Sequence, residues 1–202
     1  SGNQSQILDF IKAKPLESGL GALPDEAIQS FLSYLQILLR WNARMNLTSE
    51  RTPMGIVERH FVECAYAATQ IPPGISTLLD FGSGAGFPGI PIAICRPEIR
   101  VTLAESQHRK AAFLREAVRS LPVTCEVVDQ RVESLPSTLT YDAVTARAVD
   151  KMDESIPIAV SHANKFLVLL TSQTKSEHLE NLAPDYLWAE PIPLPPRQQS
   201  VL

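Results

Sequence analysis

The chain has three cysteines, Cys64, Cys95 and Cys125, an odd number scattered without C-x-x-C spacing. That excludes a disulfide framework and argues for reduced core thiols in a cytoplasmic protein. Four histidines are equally dispersed, so no metal site is expected. No apolar run approaches the length of a membrane-spanning helix, and the first residues lack the charged–apolar–small order of a secretion signal. Internal repeats and low-complexity tracts are missing. So is any excess of positive charge: 18 Lys and Arg stand against 22 Asp and Glu, a formal net of −4. This argues against a protein that binds nucleic acid over its whole surface. One local basic cluster survives the exclusion, with Arg40, Arg44, Arg51, Arg59 and His60 against Glu50 and Glu58. Taken alone, such a cluster reads as a solvated face.

What is present is ordinary in bulk and patterned in detail. A length of 202 residues with 45% hydrophobic content suits one soluble α/β unit with a small appendage. Residues 1–72 read as a helical extension. A short helix holds Ile7, Leu8 and Ile11, and Gly19 and Gly21 break it from a long one. Ile28, Phe31, Leu32, Leu35, Leu38 and Leu39 give that long helix its apolar stripe, and a further helix covers Ile56 to Ala68. From residue 73 to 202 the pattern alternates, predicting a mostly parallel sheet with helices on both faces. Its strands are expected at Thr77–Phe81, Val101–Ala104, Thr124–Val128, Tyr141–Ala146 and Phe166–Leu170. The helices between them are expected at Pro88–Cys95, His108–Ser120 and about Met152–His162. Ser200-Val201-Leu202 reads as the start of another strand.

The most informative segment is Asp80-Phe81-Gly82-Ser83-Gly84-Ala85-Gly86. An acidic residue closes a buried strand, and the glycines after it make a turn that a ligand can approach closely. Two frames compete. Gly84, Gly86 and Gly89 satisfy the dinucleotide pattern G-x-G-x-x-G, whereas Asp80 to Gly86 satisfies D-x-G-x-G-x-G, the S-adenosylmethionine (SAM) pattern of Rossmann-like methyltransferases. A pyrophosphate needs free N–H groups at the helix start, where this chain places Phe87 and Pro88. A sulfonium has no such need, and an acid beside the turn attracts it. The neighbours of the glycines therefore favour SAM.

Glu105 ends the second strand, where this fold keeps an acid for ribose hydroxyls. Arg131-Val132-Glu133 follows the third strand as a loop, where backbone groups would read an adenine. Arg147 ends the fourth strand, in place of the Asn/Asp-Pro-Pro-aromatic motif of exocyclic-amine methyltransferases. A cation there suits a target that needs orientation without deprotonation, or the SAM carboxylate. None of the cysteines has the context of a nucleophile for C5 methylation.

Trp41-Asn42, Asn46-Leu47-Thr48, Arg59-His60, the Asp80–Pro91 block, Arg131-Val132-Glu133 and Ala146-Arg147-Ala148 together resemble the RsmG family, also called GidB. The resemblance runs from about Leu35 to Leu170. It implies a SAM-dependent methyltransferase acting on N7 of a guanine in bacterial small-subunit ribosomal RNA. By it, Gly82, Gly84, Gly86, Phe87, Glu105, Val132, Glu133 and Arg147 surround the cofactor. Asn46, Arg59, His60 and Arg131 face the substrate, and Arg147 and Arg131 position it. The family usually has R-H-x-x-D-S, where this chain has Arg59-His60-Phe61-Val62-Glu63-Cys64. Leu169-Leu170-Thr171 stands in place of Leu-Lys-Gly, and Arg197–Leu202 resembles the start of the last family strand without its basic end. Partners implied are ribosomal RNA, within a small-subunit particle, and no membrane; the chain is expected to be a monomer. Guanine N7 carries a lone pair and no proton, so no catalytic residue in the acid–base sense is expected. The alternatives are a SAM-dependent methyltransferase of another substrate, a non-catalytic SAM-binding regulator, and an NAD oxidoreductase. The last is disfavoured by Phe87-Pro88.

Overall fold

The computed structural model describes residues 2–147, 152–172, 178–195 and 200–202. Six strands form one sheet: β1 (Thr77–Phe81), β2 (Arg100–Ala104), β3 (Cys125–Val128), β4 (Tyr141–Arg147), β5 (Ala163–Ser172) and β6 (Ser200–Val201). Their order is β3-β2-β1-β4-β5-β6, the first five parallel and β6 antiparallel to β5. All five predicted strands are present, β5 longer at both ends, and the strand start at Ser200 is β6. Ala148 and Arg197 to Gln199 of the quoted motifs lie outside the described residues.

Side chains alternate across the sheet and build two cores. Leu78, Val101, Leu103 and Ala143 enter one, with Phe31, Leu35 and Leu38 of α2 (Asp25–Asn42), Ile92 of α5 (Gly89–Cys95) and Phe113 of α6 (His108–Arg119). Leu79, Val144, Ala146 and Leu169 enter the other, with Ile156 and Ala159 of α7 (Met152–His162). Each fully buried aliphatic contributes about 1.5–3 kcal/mol of transfer free energy. The stripe read in α2 is therefore the adhesive that holds the N-terminal helices to the sheet. Ile11 of α1 (Gly2–Glu17) joins the same cluster, so the apolar core is continuous from the N-terminal helices into the sheet.

Two helices differ from expectation. The segment expected as one helix over Ile56–Ala68 is α3 (Pro53–Ile56), a π-helical turn (Val57–Phe61) and α4 (Val62–Gln70). The wide turn sits at Arg59-His60, and such bulges recur at functional sites. Helix α5 begins at Gly89 with Pro88 as its cap residue, one position later than expected. Among the described residues, no helix is long and apolar enough to cross a membrane.

Gly89 is where helix and sheet come closest. A Cβ there would stand 2.6 Å from Asp80 Oδ2 and would also overlap Leu103. Both neighbours are rigidly held in the core, so Gly89→Ala is expected to destabilise the fold by about 1–3 kcal/mol, the usual penalty for overpacking. Urea unfolding checks this; an unchanged midpoint would show that the contact yields.

Candidate functional site

The site lies at the carboxyl edge of the sheet, where β1 turns into α5. Asp80 comes first because it fixes that turn from below. It has the same sheet face as Leu78, pairs in register with Thr145 across β4, and is fully buried. Its carboxylate accepts from the Thr145 hydroxyl at 3.0 Å and from the Gly89 N–H at 3.2 Å. Burial raises its pKa to about 6. The sequence reading placed this acid beside the turn as an attraction for a sulfonium. The structure corrects that: the side chain points into the core, because it shares the face that packs on α5.

This clamp also decides between the two glycine frames. Gly89 N–H is given to Asp80 and Ile90 N–H to the Gly86 carbonyl at 2.8 Å. The donors a pyrophosphate would need at the helix start are thus engaged within the protein.

Above the clamp, Gly82 and Gly84 have φ of +67° and +57°, and a Cβ on Gly82 would meet nothing within 4 Å. The turn needs the left-handed conformation, and its bare side faces open space. Gly86 differs: its bare side meets Ile90 and the Tyr34 hydroxyl. Packing explains this third glycine. Tyr34 also donates to the Ala85 carbonyl, a tie from α2 that no motif announced. Glu105, 6% exposed, accepts from the Gly84 N–H and from the Gln107 N–H, both at 2.8 Å. Its carboxylate therefore lies against the turn, with lone pairs left over for further donors. Beyond β3, Val132 is buried and opens a short 3₁₀ turn (Val132–Ser134), where a plain loop was expected; Arg131 and Glu133 on either side of it are exposed.

Phe87 was expected against the cofactor. The structure places it, 8% exposed, in an aromatic cluster with His60 (4.6 Å between centroids, near-parallel), Tyr34 (5.7 Å) and Phe61 (6.0 Å). Arg147 lies over the same ring at 5.8 Å. It is neither free nor surface-paired. Its guanidinium meets the Glu63 carboxylate at 2.7 Å, with side chains 15% and 5% exposed, and reaches the Arg59 carbonyl at 3.4 Å. Glu63, the acid that replaces the family aspartate, thus ties α4 to the end of β4. The Arg59–Glu63 spacing within one helical stretch was the signal in the sequence; its partner across the fold was not.

The substrate-side candidates are largely occupied too. Asn46 accepts from Arg51 at 2.6 Å, and Arg59 pairs with Glu50 at 3.0 Å. Arg40 pairs with Glu116 of α6, whose other oxygen accepts from Trp41 at 2.8 Å. Asn42 organises the following loop by accepting from the Leu47 and Thr48 N–H groups. Thr48 in turn meets His60 Nε2 at 2.7 Å. His60 Nδ1 is buried with no hydrogen-bond partner among the described residues. Burial, with the Arg147 and Arg59 charges adding to it, lowers the pKa of this imidazole to about 3. The segment Trp41–Thr48 is therefore a scaffold that seats His60, and of the basic cluster Arg40 and Arg59 are paired with acids. Burial also pushes each cysteine thiol up to about 12, so no thiolate nucleophile is offered.

Sheet order, glycine turn and the acid after β2 define a Rossmann-like methyltransferase fold. Solved structures agree on the fold: the pyocyanin biosynthetic protein PhzM superposes with a TM-score of 0.57 at 11% identity, covering 85% of this chain and 59% of that one. P. horikoshii TYW2, solved in complex with MeSAdo, gives 0.53 at 18% identity, covering 69% and 58%. Within that class the chain belongs to the GidB family, rRNA small subunit methyltransferase G, whose model matches residues 27–187. It is 41% identical over 152 residues to the ribosomal RNA small subunit methyltransferase G of Xanthomonas oryzae, covering 75% of this chain and 64% of the relative. The protein of that name from Xylella fastidiosa is 42% identical over 159 residues, with coverages of 77% and 74%. The match to the Xanthomonas protein thus spans just under two thirds of that protein's length.

Two outcomes are expected. The His60 ring stays neutral, so its NMR resonances hold still from pH 5 to 8; a titration midpoint inside that range contradicts the buried placement. Glu63→Ala strands the Arg147 charge and costs about 3 kcal/mol. Adding Arg147→Ala then costs less than it does alone. Additive losses in urea unfolding would mean that the two side chains do not act as a pair.

Proposed function

We propose that this chain is a SAM-dependent methyltransferase that modifies N7 of a guanine in small-subunit ribosomal RNA, acting as a cytoplasmic monomer on RNA within a small-subunit particle. One observation carries the cofactor assignment: Gly82 opens onto free space while Glu105 is held against the same turn by the Gly84 N–H. These residues fit such a cofactor. The space a Cβ would fill admits its body, and the remaining lone pairs of Glu105 accept ribose hydroxyls. When bound, SAM supplies an electrophilic methyl on a sulfonium. The RNA assignment rests on membership of the family and on the names its relatives carry.

The protein's own part is positional. Guanine N7 attacks with an in-plane lone pair and loses no proton, so no general base is required. This agrees with a neutral His60 and with three thiols held protonated. The chain must orient cofactor and base in line and keep water out. Glu105 orients the ribose. The aromatic cluster of Tyr34, His60, Phe61 and Phe87 forms a dry wall beside the turn. Arg147 serves as the positioning residue at the end of β4, with Glu63 fixing its direction, and exposed Arg131 is the second.

Tritiated-methyl transfer to deproteinised ribosomal RNA and to assembled small subunits, with the modified base mapped, tests the proposal. Label on guanine N7, with subunits preferred, is expected; no transfer to either substrate, or label on another atom, refutes it. Glu105→Ala should weaken SAM binding tenfold or more in calorimetry, about 1.4 kcal/mol, with the circular dichroism unchanged.

A further inference from the structure

We infer that the exposed face of α6, with Arg131 beside its start, is a docking surface for the RNA phosphodiester backbone. The inference rests on the ribosomal RNA reading above and deepens it, because it adds a phosphate-binding surface outside the Arg40–His60 stretch.

In the Arg40–His60 stretch, Arg40 is paired with Glu116 and Arg59 with Glu50, while Arg51 is hydrogen-bonded only to Asn46 and the Asn42 carbonyl, and exposed Arg44 has no acidic partner among the described residues. His60 is buried and neutral. Helix α6 holds a larger share of unpaired cations. It carries Arg109, Lys110, Arg115 and Arg119 against the single Glu116, and that glutamate is committed to Arg40 and Trp41. His108 and Arg115 both go to Asp129, which leaves this acid nothing for the others. Among the described residues Arg109, Lys110, Arg119 and Arg131 have no acidic partner. Arg109, Arg119 and Arg131 are exposed, and Lys110 is half-buried.

These charges are placed where a substrate strand would pass. The His108–Asp129 contact, at 2.6 Å, fixes the first turn of α6, which carries Arg109 and Lys110, against the end of β3, two residues before Arg131. Glu105, which holds the glycine turn, and Gln107, whose N–H it accepts, lie just before the helix. His108, Ala112, Arg115 and Arg119 recur on one helical face, and Arg109 to Arg119 spans about 15 Å along the axis at 1.5 Å per residue. Arg109 and Lys110, in a first turn with no acid of its own, oppose the helix macrodipole, a local cost that an anionic partner reduces. In a chain of net charge −4, exposed Arg109, Arg119 and Arg131, without acidic partners among the described residues, are complementary to a polyanion. Base identity is not read here; the surface sets register on the backbone.

The test uses the full chain and the charge-reversed pair Arg109→Glu with Lys110→Glu. Binding to deproteinised small-subunit ribosomal RNA and to small subunits is followed by fluorescence anisotropy over a range of salt. The pair is expected to lose at least tenfold in RNA affinity at low salt and to flatten the log–log salt slope by about two, one for each phosphate contact removed. SAM affinity by calorimetry should stay within twofold. Arg100→Glu, at the opposite end of β2, should leave RNA binding unchanged. If the unaltered chain binds RNA and the pair matches it in affinity and slope, the surface assignment is wrong while the function stands. If the unaltered chain neither binds nor methylates RNA, both readings fall. A defect with subunits that is absent with RNA would assign the face to a ribosomal protein and overturn the RNA backbone as its occupant.

Discussion

Everything at the carboxyl edge of the sheet depends on one buried carboxylate. Asp80 joins three elements at once: it belongs to β1, takes the hydroxyl of Thr145 from β4, and takes the first N–H of α5 at Gly89. A charge is costly to bury, and burial raises this pKa to about 6. The gain is directional, because a carboxylate with two donors fixes the strand, its neighbour and the helix start at one point. The close packing at Gly89 follows, as does the open attitude of Gly82 and Gly84 above it. So does the loss of free donors at the head of α5, which makes the turn unsuited to a pyrophosphate.

The N-terminal helices supply the opposite wall, and they do it with paired charges. Arg147 with Glu63, Arg59 with Glu50 and Arg40 with Glu116 each bridge separate segments. Their worth differs with exposure. The Arg147–Glu63 pair is nearly dry, so losing one partner is expensive; the other two are partly exposed, screened by water, and contribute little to stability. What the exposed pairs change is the electrostatic surface. By pairing Arg40 and Arg59 they leave the unpaired positive charge on Arg44, Arg51 and α6, in a chain that is acidic overall.

The motif-bearing segments were legible in different degrees. The strands and the glycine turn could be read from the chain because period and turn chemistry are local properties. The helix over Ile56–Ala68 could be read as helical but its π turn could not, since a single extra residue in a turn leaves the apolar spacing nearly unchanged. Trp41, Asn42 and Thr48 could be picked out as a motif, yet their work is to carry Glu116, the loop backbone and His60. Asp80 was read as an attraction for the ligand. Its side chain faces the core, because the face a strand residue occupies depends on what packs above it.

By itself the sequence determined the alternating α/β order, the position of the turn, the acid at Glu105 and the family pattern. Each rests on neighbours within a few residues, or on spacing along one strand or helix. Only the tertiary structure decided which charges are free. Glu63 and Arg147 are 84 positions apart, Arg40 and Glu116 are 76 apart, and nothing along the chain links them. An ion pair depends on distance in space and on the solvent left around it, and folding alone sets both.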